Sequence, residues 1–502
     1  MSNEIELKLG LPANALAALR RHPVVRDAPR VGRSQLLANT YFDTPDMDLA
    51  ARKIALRTRR QGQRWLQTVK GHRASAGGLS SRPEWEHPYL GAFDFTVVDD
   101  DAIRGELEAQ AERLIPLFTT DFRRETRRIA PREGVEILLM IDHGEIRSGG
   151  QIEALCEVEL ELVSGSDEDL YALASALAAT LPLRPEDDSK AERGLRLYRG
   201  AVRQPIRIGE SPVSPDQTPL GAFRLIALDC LAQWQRNASG AALDASPEFV
   251  HQMRVGLRRL RSAIKLFSPC LPPEWAAHWS AELAAAANEL GEARDIDVLL
   301  GELLEPILTD ESCPDSVRQL TERVVAARDE ARCHVRTRLD GPGQGRRMID
   351  VAAGVQNLKG GVLDASADVT AFARLQLSVL RQQARKRWRK ARDGVPEAVH
   401  DLRISLKRLR YAIEFFAPLF PAGRMRRFRK ALAVAQEDLG YLNDVAVGNQ
   451  RLAGWAADDA LLQQGAAFVA GWHGARSRPV RRRVVPEAGE LLQGTPPWSA
   501  RR

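Results

Sequence analysis

Long apolar runs are missing from this sequence. No stretch of about 18 uncharged apolar residues occurs in its 502 residues, which excludes a bilayer-spanning helix. Cysteine is scarce. The five residues (Cys156, Cys230, Cys270, Cys313, Cys333) are odd in number and lack CxxC spacing, so they read as reduced thiols and not as a disulfide frame or zinc site. No Gly-rich Walker loop with its lysine is present, so any bound phosphates would have to be held by side chains. The opening Met1-Ser2-Asn3-Glu4-Ile5-Glu6 has no basic segment leading into an apolar one, the pattern of a secretory leader, and a cytoplasmic location is expected.

Charge is abundant and unevenly placed. Residues 1–200 hold 28 Lys+Arg against 32 Asp+Glu, and residues 201–502 hold 44 against 34. The first part is mildly acidic, and the second is a basic module suited to polyanions.

In residues 1–200, charged and aliphatic side chains alternate in Glu4-Ile5-Glu6-Leu7-Lys8-Leu9, Ile54–Arg59, Leu66–Lys70 and Glu157–Leu162. A period of two is the strand pattern. Turn-rich pieces separate these runs at Gly71–Gly78 and His143–Gly150, where His72 and His143 read as surface histidines. Helices are expected at Ala13–Arg21 and Ser166–Thr180. The aligned charges of Glu4/Glu6/Lys8, Arg57/Arg59 and Glu157/Glu159/Glu161 would be costly in a dry core. They face water, as on an ordinary solvated edge strand, or they line a charged site. In such a site glutamates offer hard oxygen ligands to Mg²⁺ or Mn²⁺, and Arg and Lys pair with phosphate oxygens.

Residues 201–220, with Pro205, Pro212, Pro215 and Pro219, read as a linker. Beyond it the spacing becomes helical over 221–475. Val250-His251-Gln252-Met253-Arg254 through Arg261 aligns with Val399-His400-Asp401-Leu402-Arg403 through Arg410 at an offset of 149 residues. Glu289–Asp295 aligns with Asp438–Asp444 at the same offset. A duplicated helical bundle follows, with repeats at about 221–345 and 365–475. The Pro/Arg-rich tail, 476–502, is expected to be poorly ordered. Arg254, Arg258, Arg261 and Lys265 share one face, matched in the second copy by His400, Arg403, Lys407 and Arg410. This face is either a solvated arginine surface or a polyanion site. Nucleic acid is the disfavoured ligand, because interleaved aromatic platforms are absent.

The first region resembles the CYTH superfamily, the triphosphate tunnel metalloenzymes. The resemblance rests on Glu4-Ile5-Glu6-Leu7-Lys8, Asn39–Pro45, Leu56–Arg59, Gln67–Lys70, Arg82-Pro83-Glu84-Trp85-Glu86, Thr120–Arg124, Ile141–Gly144, Cys156–Glu161 and Ser189–Gly194. It is nearest to bacterial inorganic triphosphatases that carry a second, helical domain. It implies an α+β multidomain chain with a closed antiparallel tunnel of about eight strands. It further implies Glu4, Glu6, Asp142, Glu157 and Glu159 as ligands of Mg²⁺ or Mn²⁺, with Glu161 able to shift the late pair by two. Lys8, Arg57, Arg59, Lys70, Arg124 and Lys190 would grip the phosphates, with Arg193 beside them. The implied reaction is hydrolysis of tripolyphosphate to pyrophosphate and phosphate. Alternatives within the superfamily are a nucleoside or thiamine triphosphatase and an adenylate cyclase.

The helical region resembles the CHAD domain, the conserved-histidine α-helical domain, through His251, His400 and the duplication. That resemblance implies binding of inorganic polyphosphate by His251, Arg254, Arg258, Arg261, His400, Arg403, Lys407 and Arg410, and association with polyphosphate granules. A polyphosphate-binding granule protein with weak catalysis is the alternative from another class.

Overall fold

A computed structural model describes residues 2–71, 74–76, 78–243, 246–359 and 368–499, with only the backbone of 2–4 and 74–76. The side chain of Glu4, together with His72, lies outside the described residues.

Among the described residues, ten strands form one antiparallel sheet. They are β1 (Ser2–Gly10), β2 (Gln35–Asp43), β3 (Ala55–Gln61), β4 (Arg64–Lys70), β5 (Ala74–Ala76), β6 (Leu79–Pro88), β7 (Ile115–Ile129), β8 (Glu136–Ser148), β9 (Gln151–Ser164) and β10 (Arg184–Pro185). The order is β10-β1-β9-β8-β7-β2-β3-β4-β6-β5, and β1 also pairs with β6. Ser2–Leu7 pairs with β6 and Glu6–Gly10 pairs with β9, so the first strand is the seam that closes eight strands into a barrel. The short β5 and β10 are appended to it.

One apolar core lies outside this barrel. Leu56, Val69 and Trp85 point outward from β3, β4 and β6 and pack with Leu49, Phe95, Val98 and Leu107. Helix α1 (Asp167–Ala178) opens on a capping box between Ser166 and Asp169 and buries Leu170, Tyr171, Ala174 and Leu177. Helix α2 (Lys190–Tyr198) starts from a second box, Ser189 with Glu192. Its Gly194 lies flat on the Phe118 ring, where a Cβ would come within 2.0 Å, and Ala191 and Leu195 pack against Tyr41 and Phe118. Tyr41 and Phe122 border the same cavity as the charged side chains, so the lumen is shared between charged groups and aromatic rings.

The expected turn at His143–Gly150 is largely strand. β8 runs to Ser148, with only Gly149 and Gly150, both at positive φ, making the turn. The alternation of Ile141, His143, Glu145 and Arg147 fits a strand with one exposed face. The Gly and His at 143–144 had suggested otherwise.

The helical part comprises α3 (Pro219–Leu243), α4 (Pro247–Leu266), α5 (Pro273–Glu289), α6 (Gly291–Val298) and α7 (Asp315–Leu339), then α8 (Gln344–Gln356). After it come α9 (Val369–Ala391), α10 (Pro396–Phe416), α11 (Ala422–Trp455) and α12 (Ala460–Gln493). Helices α4 and α10, and likewise α5 and α11, begin 149 residues apart. The first copy breaks at Leu290, where the second continues unbroken. The tail is not irregular as expected, because α12 continues through Pro479 and Pro486 to Gln493. Burial of Val484, Val485, Ala488 and Leu492 outweighs the local cost of the prolines. Trp388 also donates to the Val485 carbonyl at 2.9 Å.

Two compact units result. One is Met1–Ile206 with Gln235–Asp244 and Thr337–Asn357, and the other is Arg207–Trp234, Ala245–Arg336 and Leu358–Arg502. The first unit therefore includes the end of α3 and all of α8. Gly343 donates its backbone N–H to the Ala178 carbonyl at 3.2 Å. Gly345 comes so close to Leu183 that a Cβ would lie 1.6 Å from its carbonyl oxygen.

Candidate active site

Strand register decides which charges meet. Lys8 lies opposite Glu159, Arg124 opposite Asp142, and Asp142 opposite Glu157. Asp142, Glu157 and Glu159 are buried, and each offers an oxygen within 4.8 Å of the others, a geometry that could hold a metal ion. Three hard anionic oxygens suit Mg²⁺ or Mn²⁺. Glu6 does not join this triad. Its Oε1 accepts from Ser80 Oγ at 3.1 Å and from Arg82 at 3.2 Å.

Two cations each bridge carboxylates of the triad, and Arg193 touches Glu157 alone. Arg124 donates to Asp142 at 2.7 and 2.6 Å and also to Glu159. The Lys190 ammonium lies 2.8 Å from Asp142 and 2.8 Å from Glu159, and it also bonds Glu157. Burial works against both cations, but the carboxylates outweigh it and raise both pKa values. Burial likewise opposes ionisation of Glu159, yet Lys190 and Arg124 hold it well below the usual carboxylate range.

In a ring of eight, β3 lies four strands from β9 and β4 four strands from β8, so they form the opposite wall. Arg57 faces Tyr41 at 3.5 Å and Glu84 at 3.6 Å. Arg59 donates to Asn39 at 2.8 Å, and Lys70 contacts Glu84 at 2.7 Å. Burial, followed by repulsion from Arg57 and Arg124, pushes the Arg59 guanidinium down to about 10. Burial alone would raise Tyr41, but Arg57, Lys190 and Arg59 lower it. Lys8, Arg57, Arg59, Lys70, Arg124 and Lys190 all border one cavity, together with Glu6 and Glu159. Arg193 is instead engaged by Glu153 at 2.8 Å, the Ala154 carbonyl at 2.7 Å and Glu157 at 3.4 Å.

Tyr41, Arg82 and Glu84 also border the cavity, and sequence reasoning did not select them. Period two was visible in Arg82-Pro83-Glu84-Trp85-Glu86, and Trp85 on the outer face would have placed Arg82 and Glu84 inside. Tyr41 carried no such signal.

In the helical unit, α4 buries Leu257, Leu260 and Ile264, and α10 buries Leu402, Leu406, Leu409 and Ile413. Their basic faces are partly buried. Arg254 donates to the Ala287 carbonyl at 3.1 Å and lies 3.7 Å from Asp295. The Nε atoms of Arg258 and Arg410 and Nδ1 of His251 are buried with no hydrogen-bond partner. Burial, joined by Arg258, Arg403 and Arg410 and opposed by Asp444, pushes the Lys407 amine down to about 7. Burial and Arg294 press His251 down to about 4, against Glu248. Arg403 is lowered by burial and Arg258 despite Asp444. His400 is exposed and pairs with Asn443 at 3.1 Å, and Arg261 is exposed. No helix among the described residues is long and apolar enough to cross a membrane.

These sites coincide with known families. The CYTH domain model matches residues 2–195, and the CHAD domain model matches residues 225–453. An inorganic triphosphatase of Haemophilus influenzae is 30% identical over 197 residues, 39% of this chain and 55% of that protein. An uncharacterized protein of Mycobacterium tuberculosis is 28% identical over 309 residues, 58% of this chain and 57% of that one. The chain thus spans little more than half the length of these curated relatives. The crystal structure of the CHAD domain from the plant Ricinus communis matches at a TM-score of 0.51 and 30% identity, covering 59% of this chain and 99% of that one. The chain thus carries a CYTH domain, whose strands form the barrel, followed by a CHAD domain, and its helical region belongs to the CHAD family.

Proposed function

We propose that the chain is a divalent-metal-dependent inorganic triphosphatase whose helical unit binds polyphosphate. One observation carries the reading: Glu159 of the carboxylate triad borders the same cavity as Arg57, Arg59 and Lys70 of the opposite wall. Asp142, Glu157 and Glu159 would hold the ion, which supplies Lewis acidity and an activated water when bound. Arg57, Arg59, Lys70 and Lys8 bind the phosphate chain and stabilise the charge that develops on the transferred group and the leaving phosphate. Arg124 orients Asp142 and Glu159 and, with Lys190, keeps Glu159 ionised.

The aromatic surfaces of the cavity support an inorganic substrate over a nucleotide. The Phe122 ring has the Lys190 ammonium 5.0 Å from its centroid and the Arg124 guanidinium at 5.7 Å, and Tyr41 is stacked on Phe118 at 4.6 Å. The helical cluster around Arg254, Arg258, Arg403 and Lys407 would take polyphosphate, which fits a cytoplasmic, granule-associated enzyme.

The test is phosphate release from tripolyphosphate, long polyphosphate, ATP, GTP and thiamine triphosphate, each with Mg²⁺, Mn²⁺ or chelator. Tripolyphosphate should be turned over fastest, and chelator should abolish the activity. Faster turnover of a nucleotide or of thiamine triphosphate, or cyclic AMP from ATP, would overturn the specificity. Tighter binding of nucleic acid than of length-matched polyphosphate would overturn the role of the helical unit.

A further inference from the structure

Lys190 is buried, and its ammonium forms ion pairs with all three carboxylates of the triad, donating hydrogen bonds to Glu157 and Glu159. A divalent ion would draw on oxygens of the same three carboxylates at about 2.0–2.6 Å. One oxygen of each lies within 4.8 Å of the others, so an ion there and the ammonium compete for one set of anions.

We infer that Lys190 is an exchangeable internal cation, which neutralises the Asp142–Glu157–Glu159 triad in the metal-free protein and moves to the phosphate chain when a divalent ion takes the carboxylates. This rests on the triphosphatase reading above and adds the order and coupling of binding. Charge balance requires the movement. Lys190, Arg124 and Arg193 already supply three positive charges against the three negative ones of the triad, so a divalent ion added beside an unmoved ammonium would leave a buried net positive charge.

The local structure lets the side chain move alone. Lys190 is the first residue of α2, and the helix is held by its capping box and by the bonds of Arg193 to β9. Ser189, Lys190 and Ala191 border the same cavity as Arg57, Arg59 and Lys70, so rotation about the lysine stem keeps the ammonium in the lumen. Displacement costs the metal affinity when no anion is present to receive the ammonium. A triphosphate receives it, so metal and anion strengthen each other's binding reciprocally.

The test is Mn²⁺ binding to the full chain, followed by electron paramagnetic resonance, with and without a methylene-bridged triphosphate analogue. Lys190→Met should bind Mn²⁺ at least about fivefold more tightly than wild type without the analogue, and the analogue should enhance it less. Equal Mn²⁺ affinity of the two proteins, both folded, would overturn the inference and leave the metal reading standing. No Mn²⁺ binding by either would overturn both. A measurement on wild type alone guards against a misfolded variant. Acetylation of Lys190, read by mass spectrometry, should rise on adding Mn²⁺ and fall again with the analogue. Unchanged labelling under saturating Mn²⁺ would overturn the exchange.

Discussion

Asp295 of the first helical repeat accepts a hydrogen bond from Arg451 of the second at 3.0 Å, across the duplication. The same carboxylate lies 3.7 Å from Arg254, so one acid restrains two arginines of the basic cluster. Asp295→Asn should strengthen polyphosphate binding, because both guanidiniums are released to the ligand. It should also lower Tm by a few degrees as the repeats lose a charged tie. Titration calorimetry and thermal melts on the full chain check both directions.

Lys407 should set the pH dependence of that binding. Its amine is held near 7 by burial and three arginines, so it is neutral in much of the free protein above that pH. A polyanion favours the charged form, which makes binding take up a proton. Affinity for polyphosphate should therefore decline as pH rises from 6 to 8, and Lys407→Arg should flatten the decline. The folding linkage has the opposite sense: a pKa depressed from 10.5 means stability is lost as pH falls through 7.

In the lumen, Glu159→Gln and Glu6→Gln should each cost about 100-fold or more in turnover. Simple repulsion among unpaired carboxylates would have made the metal-free Glu159→Gln protein as stable as wild type, or more so. The structure reverses that expectation, since Glu159 is tied to both Lys190 and Arg124. Removing its charge should lower Tm, with a loss of stability on the order of 3–5 kcal/mol for a broken buried pair.

Cutting the chain at Pro205 should destabilise the barrel even though every barrel strand precedes the cut. Arg236 contacts Asp188 at 3.3 Å, Arg184 donates to the Leu339 carbonyl at 3.2 Å, and Gly343 bonds Ala178. A chain ending there should melt lower than the full protein and expose the outer face of α1 to dye binding. Supplying residues 337–357 as a peptide should recover part of the loss.

Much of the architecture was legible locally. Alternation in Glu4–Leu9, Ile54–Arg59 and Glu157–Leu162 is a short-range property, and so are the capping pairs Ser166/Asp169 and Ser189/Glu192 and the 149-residue repeat. Period two also put Lys8, Arg57, Arg59, Lys70 and Glu159 on faces that could meet. At His143–Ser148 and Arg476–Gln493 local composition misled, because buried neighbours outweighed the glycine and proline preferences.

The sequence by itself determined which residues share a strand or helix face, since that depends only on backbone period. Only the tertiary structure decided which faces meet. It set the seam at β1, the separation of Glu6 from the Asp142–Glu157–Glu159 triad, the placement of Lys190 within that triad, and the packing of α8 with the barrel. These depend on register and long-range packing between segments up to about 180 residues apart, such as Lys8 and the Asp188 carbonyl, and no short window of sequence encodes them.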